Sequence, residues 1–123
     1  MNNIPATAVY PQFLQNLNTQ IEEHLSDDSL TIKKLTRLAG MSRTNLHRKL
    51  TKTIGMSATR YLRFVRLNRA ARLLLDEPEW SIYQVALEVG FGSQSYFSTR
   101  FRELFNMSPG KWRIVGGKLE HLE

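Results

Sequence analysis

Two stretches of the chain decide the fold, TIKKLTRLAGMSRTNLHRKLTKTIGMS at residues 31–57 and SIYQVALEVGFGSQSYFSTRFRELFNMS at residues 81–108. The second repeats the first, with Thr31, Ile32 and Gly40 recurring as Ser81, Ile82 and Gly90. After one inserted residue, Ser42, Leu46, Leu50, Ile54, Met56, Ser57 and Tyr61 recur as Ser93, Phe97, Phe101, Phe105, Met107, Ser108 and Trp112. Each unit has a short helix, a glycine turn and a second helix that starts at a serine, which is the helix-turn-helix plan.

The glycine of each unit explains why the chain turns there. The first helix must stop in a left-handed backbone conformation, which glycine adopts without steric cost. An apolar residue follows, Met41 in the first unit and Phe91 in the second, and we expect it to fill the angle between the two helices. One such turn occurs in many helical proteins, but two in register, joined by a helix, are far more specific.

Apolar periodicity and capping residues predict an all-α fold with seven helices. Pro11 starts the first helix and Asp27-Asp28-Ser29 ends it. The predicted N-caps of the other six helices are Thr31, Ser42, Ser57, Ser81, Ser93 and Ser108. The fourth helix, residues 57–75, is the longest and links the two helix-turn-helix units.

The same signals divide the chain into five segments. They are residues 1–29 with the first helix, 30–56 with the first unit, 57–76 with the linker helix, 80–115 with the second unit and a final helix, and a tail at 116–123. The Leu-Glu-His composition of the tail is typical of vector-derived sequence. The apolar face of the first helix either covers the core of the first unit or contacts a part of the protein outside this chain.

Positive charge is concentrated in the middle of the chain. The formal net charge is +6, but residues 30–75 hold twelve Lys and Arg and no Asp or Glu. Such a block repels itself, and a polyanion such as nucleic acid neutralises it with release of counterions. The alternatives are a solvated basic face, partly neutralised by the acidic first helix, and an anionic membrane surface. A membrane surface requires exposed apolar residues on the same helix face, whereas the apolar stripes here are predicted to form the core.

Composition excludes several kinds of site. The chain has no cysteine, and His24, His47 and His121 are too far apart for a metal motif. It has no phosphate-binding glycine loop and no nucleophile motif, so we predict no enzyme activity and no cofactor. No apolar run approaches the ~20 residues of a membrane span, and no basic residue precedes Lys33 as a secretory signal requires. We therefore expect a cytoplasmic protein whose domain makes no membrane contact.

The second helix of each unit exposes a polar face opposite its predicted core positions. In the third helix this face consists of Arg43, Thr44, His47, Arg48, Thr51 and Lys52. In the sixth helix it consists of Gln94, Ser95, Ser98, Thr99 and Arg102. Side chains of these types read the major groove, Arg at guanine, Gln at adenine, and Ser or Thr at either. Any surface helix exposes polar residues, so the polar face of the sixth helix alone does not indicate DNA binding. It does so only together with the basic face of the third helix.

The linker helix has a length that suits duplex DNA. As a straight helix it spans about 28 Å, and successive major grooves on one side of B-DNA lie ~34 Å apart. Every third residue from Arg60 to Arg72 is an arginine, a spacing that drifts by about 60° per step around a helix. These arginines cannot all face one DNA backbone. We expect those nearest the helix start to contact phosphate and some of the others to be structural.

The stretch from about Leu30 to Arg113 resembles the DNA-binding domain of the AraC/XylS family of bacterial transcription regulators. The run IYQVALEVGFGSQSYFSTRFRELFNMSPGKWR at residues 82–113 carries the most diagnostic part of that pattern, and MSRTNLHRKLTKTIGMSATRYL in the first unit fits as well. Two positions depart from it. Thr99 stands where many members have a basic residue, and Leu50 stands where phenylalanine is common.

The resemblance implies two helix-turn-helix units in successive major grooves of an asymmetric site near a promoter, and transcriptional control through contact with RNA polymerase. The base-contacting positions that it implies are Thr44, His47, Arg48, Gln94, Ser95, Ser98 and Thr99. The phosphate-contacting positions that it implies are Arg43, Lys52, Arg60, Arg63 and Arg102. Backbone N–H groups at the starts of the third, fourth and sixth helices join the phosphate contacts.

The run FLQNLNTQIEEHLSDDSLTIKKLTRLAGMSRTNLHRKL, which begins at Phe13, resembles the C-terminal output domains of hybrid two-component sensors and response regulators. It implies an upstream sensor or receiver module, with this chain as a fragment, and leaves both a stand-alone regulator and dimerisation through other regions open. A helical protein-interaction module with a basic face is the remaining alternative. Such a module binds an acidic partner and does not require the in-register repeat.

Overall fold

The computed structural model describes residues 12–27 and 30–117. Within these ranges the chain forms seven α-helices and no β-strand, which confirms the predicted all-α fold with two helix-turn-helix units and a linker helix. The helices are α1 (Gln12–Glu23), α2 (Ile32–Ala39), α3 (Arg43–Ile54), α4 (Ala58–Asp76), α5 (Ile82–Glu88), α6 (Gln94–Phe105) and α7 (Pro109–Ile114). The predicted features at Pro11, at Asp28-Ser29 and in the tail from residue 118 lie outside the described residues.

Side-chain caps determine where α2 to α7 begin. Each of the six predicted cap residues accepts a hydrogen bond from a backbone N–H in the first turn of its helix. Ser81 forms a reciprocal capping box, because its own N–H donates to Oε1 of Gln84 at 2.7 Å. These contacts satisfy backbone N–H groups that have no partner within the helix.

The predicted end of α1 is wrong. The helix ends at Glu23, four residues before Asp27, and the chain continues in tight turns. The N–H of His24 donates to the Ile21 carbonyl and that of Asp27 to the His24 carbonyl, both at 3.0 Å. Leu25 lies in these turns and is buried in the first core.

The core is divided into two clusters along α4, which we call the first core and the second core. The first core is built from α1, α2, α3 and the first half of α4, and its completely buried aliphatic side chains include Ile21, Leu35, Leu46 and Leu50. The second core packs aromatic side chains, among them Phe91, Phe97, Phe101, Phe105 and Trp112, against aliphatic ones. The boundary falls between Val65 and Leu67. The apolar face of α1 therefore covers the first core.

Arg66 lies at this boundary and is buried, with 6% of its surface exposed. Its Nη1 donates to the backbone carbonyls of Leu25 at 2.7 Å and Val89 at 2.6 Å. Its Nη2 donates to the carbonyl of Asp27 at 3.1 Å. One guanidinium thus joins the turn after α1, the linker helix and the end of α5, which confirms that an arginine of the linker is structural.

The turn glycines of the two units share a left-handed conformation but differ in their surroundings. The φ angle is +68° at Gly40 and +91° at Gly90. A Cβ atom at Gly40 would meet nothing within 4 Å, whereas at Gly90 it would lie 1.3 Å from Nη1 of Arg66 and 2.4 Å from the Leu25 carbonyl oxygen. Gly40 is required for its backbone conformation alone, and Gly90 is also required for the close approach of Arg66.

Hydrogen bonds fasten both halves of α4 to their neighbours. Near its start, the hydroxyl of Tyr61 donates to Oδ1 of Asn18 in α1 at 2.6 Å. Near its end, Nε1 of Trp112 donates to the Ala71 carbonyl and Nε of Arg113 donates to the Leu74 carbonyl, both at 2.9 Å. The linker is therefore fastened to α1 near its start and to α7 near its end, and the two cores that pack on it set the positions of α3 and α6 relative to each other.

Candidate nucleic-acid interface

The outer face of α3 presents the three predicted base-contacting side chains of the first unit, Thr44, His47 and Arg48, and all three are exposed. Their only hydrogen bonds among the described residues are local. Nη2 of Arg48 donates to Oδ1 of Asn45, and Nε2 of His47 lies 3.5 Å from Oγ1 of Thr51. Because these partners lie on the same exposed helix, the side chains are able to exchange them for base edges without disturbing the first core.

The outer face of α6 is different in character. Gln94, Ser95 and Thr99 are exposed, and Ser98 is half-buried against the unit. These four side chains are uncharged donors and acceptors of short reach. The face therefore offers hydrogen bonds without adding charge, and Ser98 is less accessible than its position on the polar face indicated.

The N-termini of α3, α4 and α6 are available for phosphate. Their caps, Ser42, Ser57 and Ser93, accept from the N–H groups of Asn45, Arg60 and Tyr96 at 3.1, 3.2 and 3.2 Å. Each cap satisfies one of the four N–H groups that a helix start leaves without an intrahelical partner. The remaining groups, together with the helix dipole, favour an anion.

Basic side chains surround the two polar faces. Arg43, Lys52, Arg60 and Arg102 are exposed, and Arg63 is half-buried. Arg60 and Arg63 of α4 also line a cleft between the two units, opposite Arg100 of α6. The predicted phosphate contacts therefore lie on the same elements as the predicted base contacts or on the linker between them.

Arg100 is a candidate that the sequence reasoning missed. Its Nη1 donates to Oε1 of Glu103 at 2.9 Å, and its guanidinium lies 5.2 Å from the centre of the Tyr96 ring. The hydrogen bond to Glu103, and to a smaller extent the one to Tyr96, raises the pKa of Arg100. The guanidinium therefore keeps its charge. The sequence places Arg100 and Glu103 three residues apart on one helix, which predicts that they pair. Only the fold shows that this side of α6 faces α4.

Other kinds of site find no support in the described part of the chain. No three His, Asp or Glu side chains there lie close enough together to hold a metal ion. Across the same residues, none of the helices combines the length and the apolar character that a membrane crossing needs.

Two helix-turn-helix units with polar outer helices on one linker define a DNA-binding domain. A family model described as a helix-turn-helix domain matches residues 35–114. The chain belongs to this family, in its AraC type, and is the DNA-binding domain of a transcription regulator. This family is one of DNA-binding regulator domains, which confirms the prediction that the domain itself is not an enzyme.

Individual relatives agree with this assignment. The transcriptional regulator MtrA of Neisseria gonorrhoeae is 36% identical over 92 residues, which are 75% of this chain and 30% of MtrA. The C-terminal domain of AraT, a response regulator from Geobacillus stearothermophilus, superposes with a TM-score of 0.75 at 29% identity, covering 88% of each chain. The DNA-binding domain of the global transcription factor AdpA, solved with a target DNA, gives 0.74 at 27% identity, covering 85% of this chain and 93% of that one.

Proposed function

We propose that this domain binds double-stranded promoter DNA sequence-specifically, with α3 and α6 in successive major grooves of one asymmetric site. The observation that carries the proposal is the pair of exposed polar helices held by a single fastened linker. The 19 residues of α4 span about 28 Å, within reach of the ~34 Å between successive major grooves. The likeness to AdpA, whose DNA-binding domain was solved with a target DNA, supports it.

Base readout is divided between the units. Arg48 of α3 has the reach and donors to bind guanine O6 and N7, and Gln94 of α6 has the donor and acceptor that adenine requires. The remaining side chains provide single hydrogen bonds or a methyl contact to thymine. The proposed base contacts are Thr44, His47, Arg48, Gln94, Ser95, Ser98 and Thr99.

Phosphate contacts position the domain without reading sequence. They come from the basic side chains around the two polar faces and from the N-termini of α3, α4 and α6. The proposed side chains are Arg43, Lys52, Arg60, Arg63 and Arg102. Because each neutralised phosphate releases counterions, binding weakens steeply as salt rises.

The domain is proposed to be the output part of a longer bacterial signalling protein that acts in the cytoplasm. The chain spans 30% of the length of MtrA. The C-terminal domain of AraT, a response regulator, has this fold. In this proposal a sensor or receiver module precedes residue 1, residues 1–29 lead into the units at 30–56 and 80–115, and bound protein contacts RNA polymerase. Dimerisation through regions outside this chain fits the same arrangement.

Selection of bound sequences from a random duplex pool tests the proposal. At near-physiological salt we expect a site with two short blocks about one helical turn apart, and we expect Arg48→Ala to relax one block only. Binding that is sensitive to salt but enriches no sequence would contradict base readout. The basic block would then be a general polyanion surface.

A further inference from the structure

A cleft of about 110 Å³ lies between the two helix-turn-helix units. Phe64 and Leu67 of α4 contribute its apolar floor, and Met56, directly after α3, lies on one side. On the other side are Arg100 and Glu103 of α6. We call this space the inter-unit cleft. It is bounded by the end of one proposed reading helix and by the flank of the other.

The charge around the inter-unit cleft is unbalanced. Arg60, Arg63 and Arg100 contribute three guanidinium groups, and Glu103 contributes the one carboxylate. The side chains of Arg60 and Arg63 have no hydrogen bond or ion pair with any described residue. Three positive groups around a small space, two of them without partners in the described chain, form a site for an anion.

Within the cleft, Arg100 is paired with a carboxylate of its own helix. It pairs with Glu103, one turn along α6, at 2.9 Å, and the Glu103 side chain is 58% exposed. Such exposed pairs contribute little stability and are readily exchanged. The Nε of Arg100 is buried and has no hydrogen-bond partner, an arrangement that native proteins seldom leave without a reason. The resting position of Arg100 is therefore incompletely satisfied.

The proposed DNA complex would bring phosphate groups to the part of the domain that holds the cleft. When α3 and α6 occupy successive major grooves on one side of a duplex, the minor groove between them faces the protein with its two phosphate backbones. Met56 follows α3 and Arg100 belongs to α6, so the cleft lies between the two groove contacts. We propose that Arg100 leaves Glu103 and, beside Arg60 and Arg63, binds a backbone phosphate of this intervening DNA.

This arrangement rests on the proposed function. Within it, Glu103 has a defined role. Its carboxylate competes with the phosphate for Arg100 and repels the DNA backbone. A phosphate that takes over the guanidinium gains charge-assisted hydrogen bonds and also releases condensed counterions, which a carboxylate of the protein cannot do. Arg100 adds affinity for every duplex sequence, and Glu103 sets how large that contribution is.

The test measures binding of the whole chain to a duplex carrying the selected site, and to a scrambled duplex, at several salt concentrations. Arg100→Ala is expected to weaken both complexes about five- to tenfold and to reduce the salt slope by about 0.9. Arg100→Lys is expected to keep most of that slope because it keeps the charge. Glu103→Gln is expected to tighten binding several-fold, and to lose that gain when combined with Arg100→Ala.

Matched controls come from the other side of the linker. Arg72 and Glu22 line the groove between α1 and α4, so Arg72→Ala and Glu22→Gln make the same charge changes away from the cleft and are expected to leave the slope nearly unchanged. If Arg100→Ala binds like the wild type while the wild type prefers its selected site, the cleft proposal is overturned and the proposed function stands. If the wild type shows no site preference, both fail.

Discussion

The two helix-turn-helix units share a backbone plan and differ in the chemistry they place on it. The first unit has an aliphatic core and a reading helix flanked by Arg43 and Lys52. The second has a core in which aromatic and aliphatic side chains are packed together, and its reading face is uncharged apart from Arg102 at its end. Contacts of charged groups with phosphate supply affinity for any duplex, whereas contacts with base edges, made by arginine as well as by neutral side chains, supply discrimination. We therefore expect the first unit to contribute more of the salt-dependent affinity, and both units to contribute to the choice of site.

The largest expected effect is the difference in stability between alanine variants at the two turn glycines, Gly90 and Gly40. Gly90→Ala forces a Cβ atom onto Arg66 and the Leu25 carbonyl, and we expect it to lower the free energy of unfolding by about 4 kcal/mol or more. Gly40→Ala meets open space and should cost only the left-handed conformation, about 1 to 2 kcal/mol. Urea unfolding of both variants measures the difference. Equal losses would mean that Arg66 does not depend on the Gly90 turn.

The next largest loss of stability is expected at Arg66, which joins the turn after α1 to the end of α5. Arg66→Met leaves the carbonyls of Leu25, Asp27 and Val89 without their donor, and we expect a loss of about 3 kcal/mol in the free energy of unfolding. Arg69→Met, on the same helix but half-exposed, should change stability by less than about 0.5 kcal/mol. Hydrogen exchange of the amides of α5 and α1 checks the coupling. Protection in both helices is expected to fall for Arg66→Met, and a loss in α5 alone would contradict a joint role.

The difference in reading chemistry predicts a smaller, sequence-dependent effect. Arg48→Ala and Gln94→Ala are each expected to cost about 1 to 3 kcal/mol of discrimination at one base position, in different blocks of the site. Only Arg48→Ala removes a positive charge, so it alone should also weaken binding to unrelated duplexes. Quantitative competition assays measure both quantities. A relaxation of the same block by both variants would refute the division between the units.

The smallest effect compares helix caps at equivalent positions. Ser81 forms a capping box with Gln84, while Thr31 caps α2 through one hydrogen bond. We expect Thr31→Ala and Ser81→Ala each to destabilise by about 1 kcal/mol, because each removes one cap bond. Ser81→Ala combined with Gln84→Ala should cost up to about 2 kcal/mol, because it also removes the acceptor of the Ser81 N–H. Thermal unfolding at one fixed pH ranks the three variants. A double variant as stable as Ser81→Ala would show that the reciprocal bond to Gln84 contributes nothing.

Local signals made most of the fold predictable. Serine and threonine caps, turn glycines and apolar spacing act within one or two helical turns, so α2 to α7 follow from the sequence. The polar faces of α3 and α6 follow from the same periodicity. The base-contacting positions on these faces are implied by the family resemblance and remain predictions, and the half-burial of Ser98 depends on packing.

The remaining features depend on contacts that no local pattern encodes. Arg66 binds carbonyls of residues 23 to 41 positions away along the chain, so periodicity alone does not distinguish it from the other linker arginines. The end of α1 at Glu23 is followed by tight turns whose carbonyls at Leu25 and Asp27 accept from Arg66. Arg100 is a candidate only because the fold brings one side of α6 opposite Arg60 and Arg63 of α4, which no local pattern predicts.

The central claim, one monomer whose linker fixes two readers on successive grooves, is tested most directly by changing the spacing of the selected site. Inserting five base pairs between the two blocks rotates the second block by about half a turn away from α6. The account predicts that affinity falls to that of a duplex carrying the first block alone, and that Gln94→Ala then has no further effect. Unchanged affinity and an unchanged effect of Gln94→Ala on the lengthened site would contradict a fixed two-groove reader.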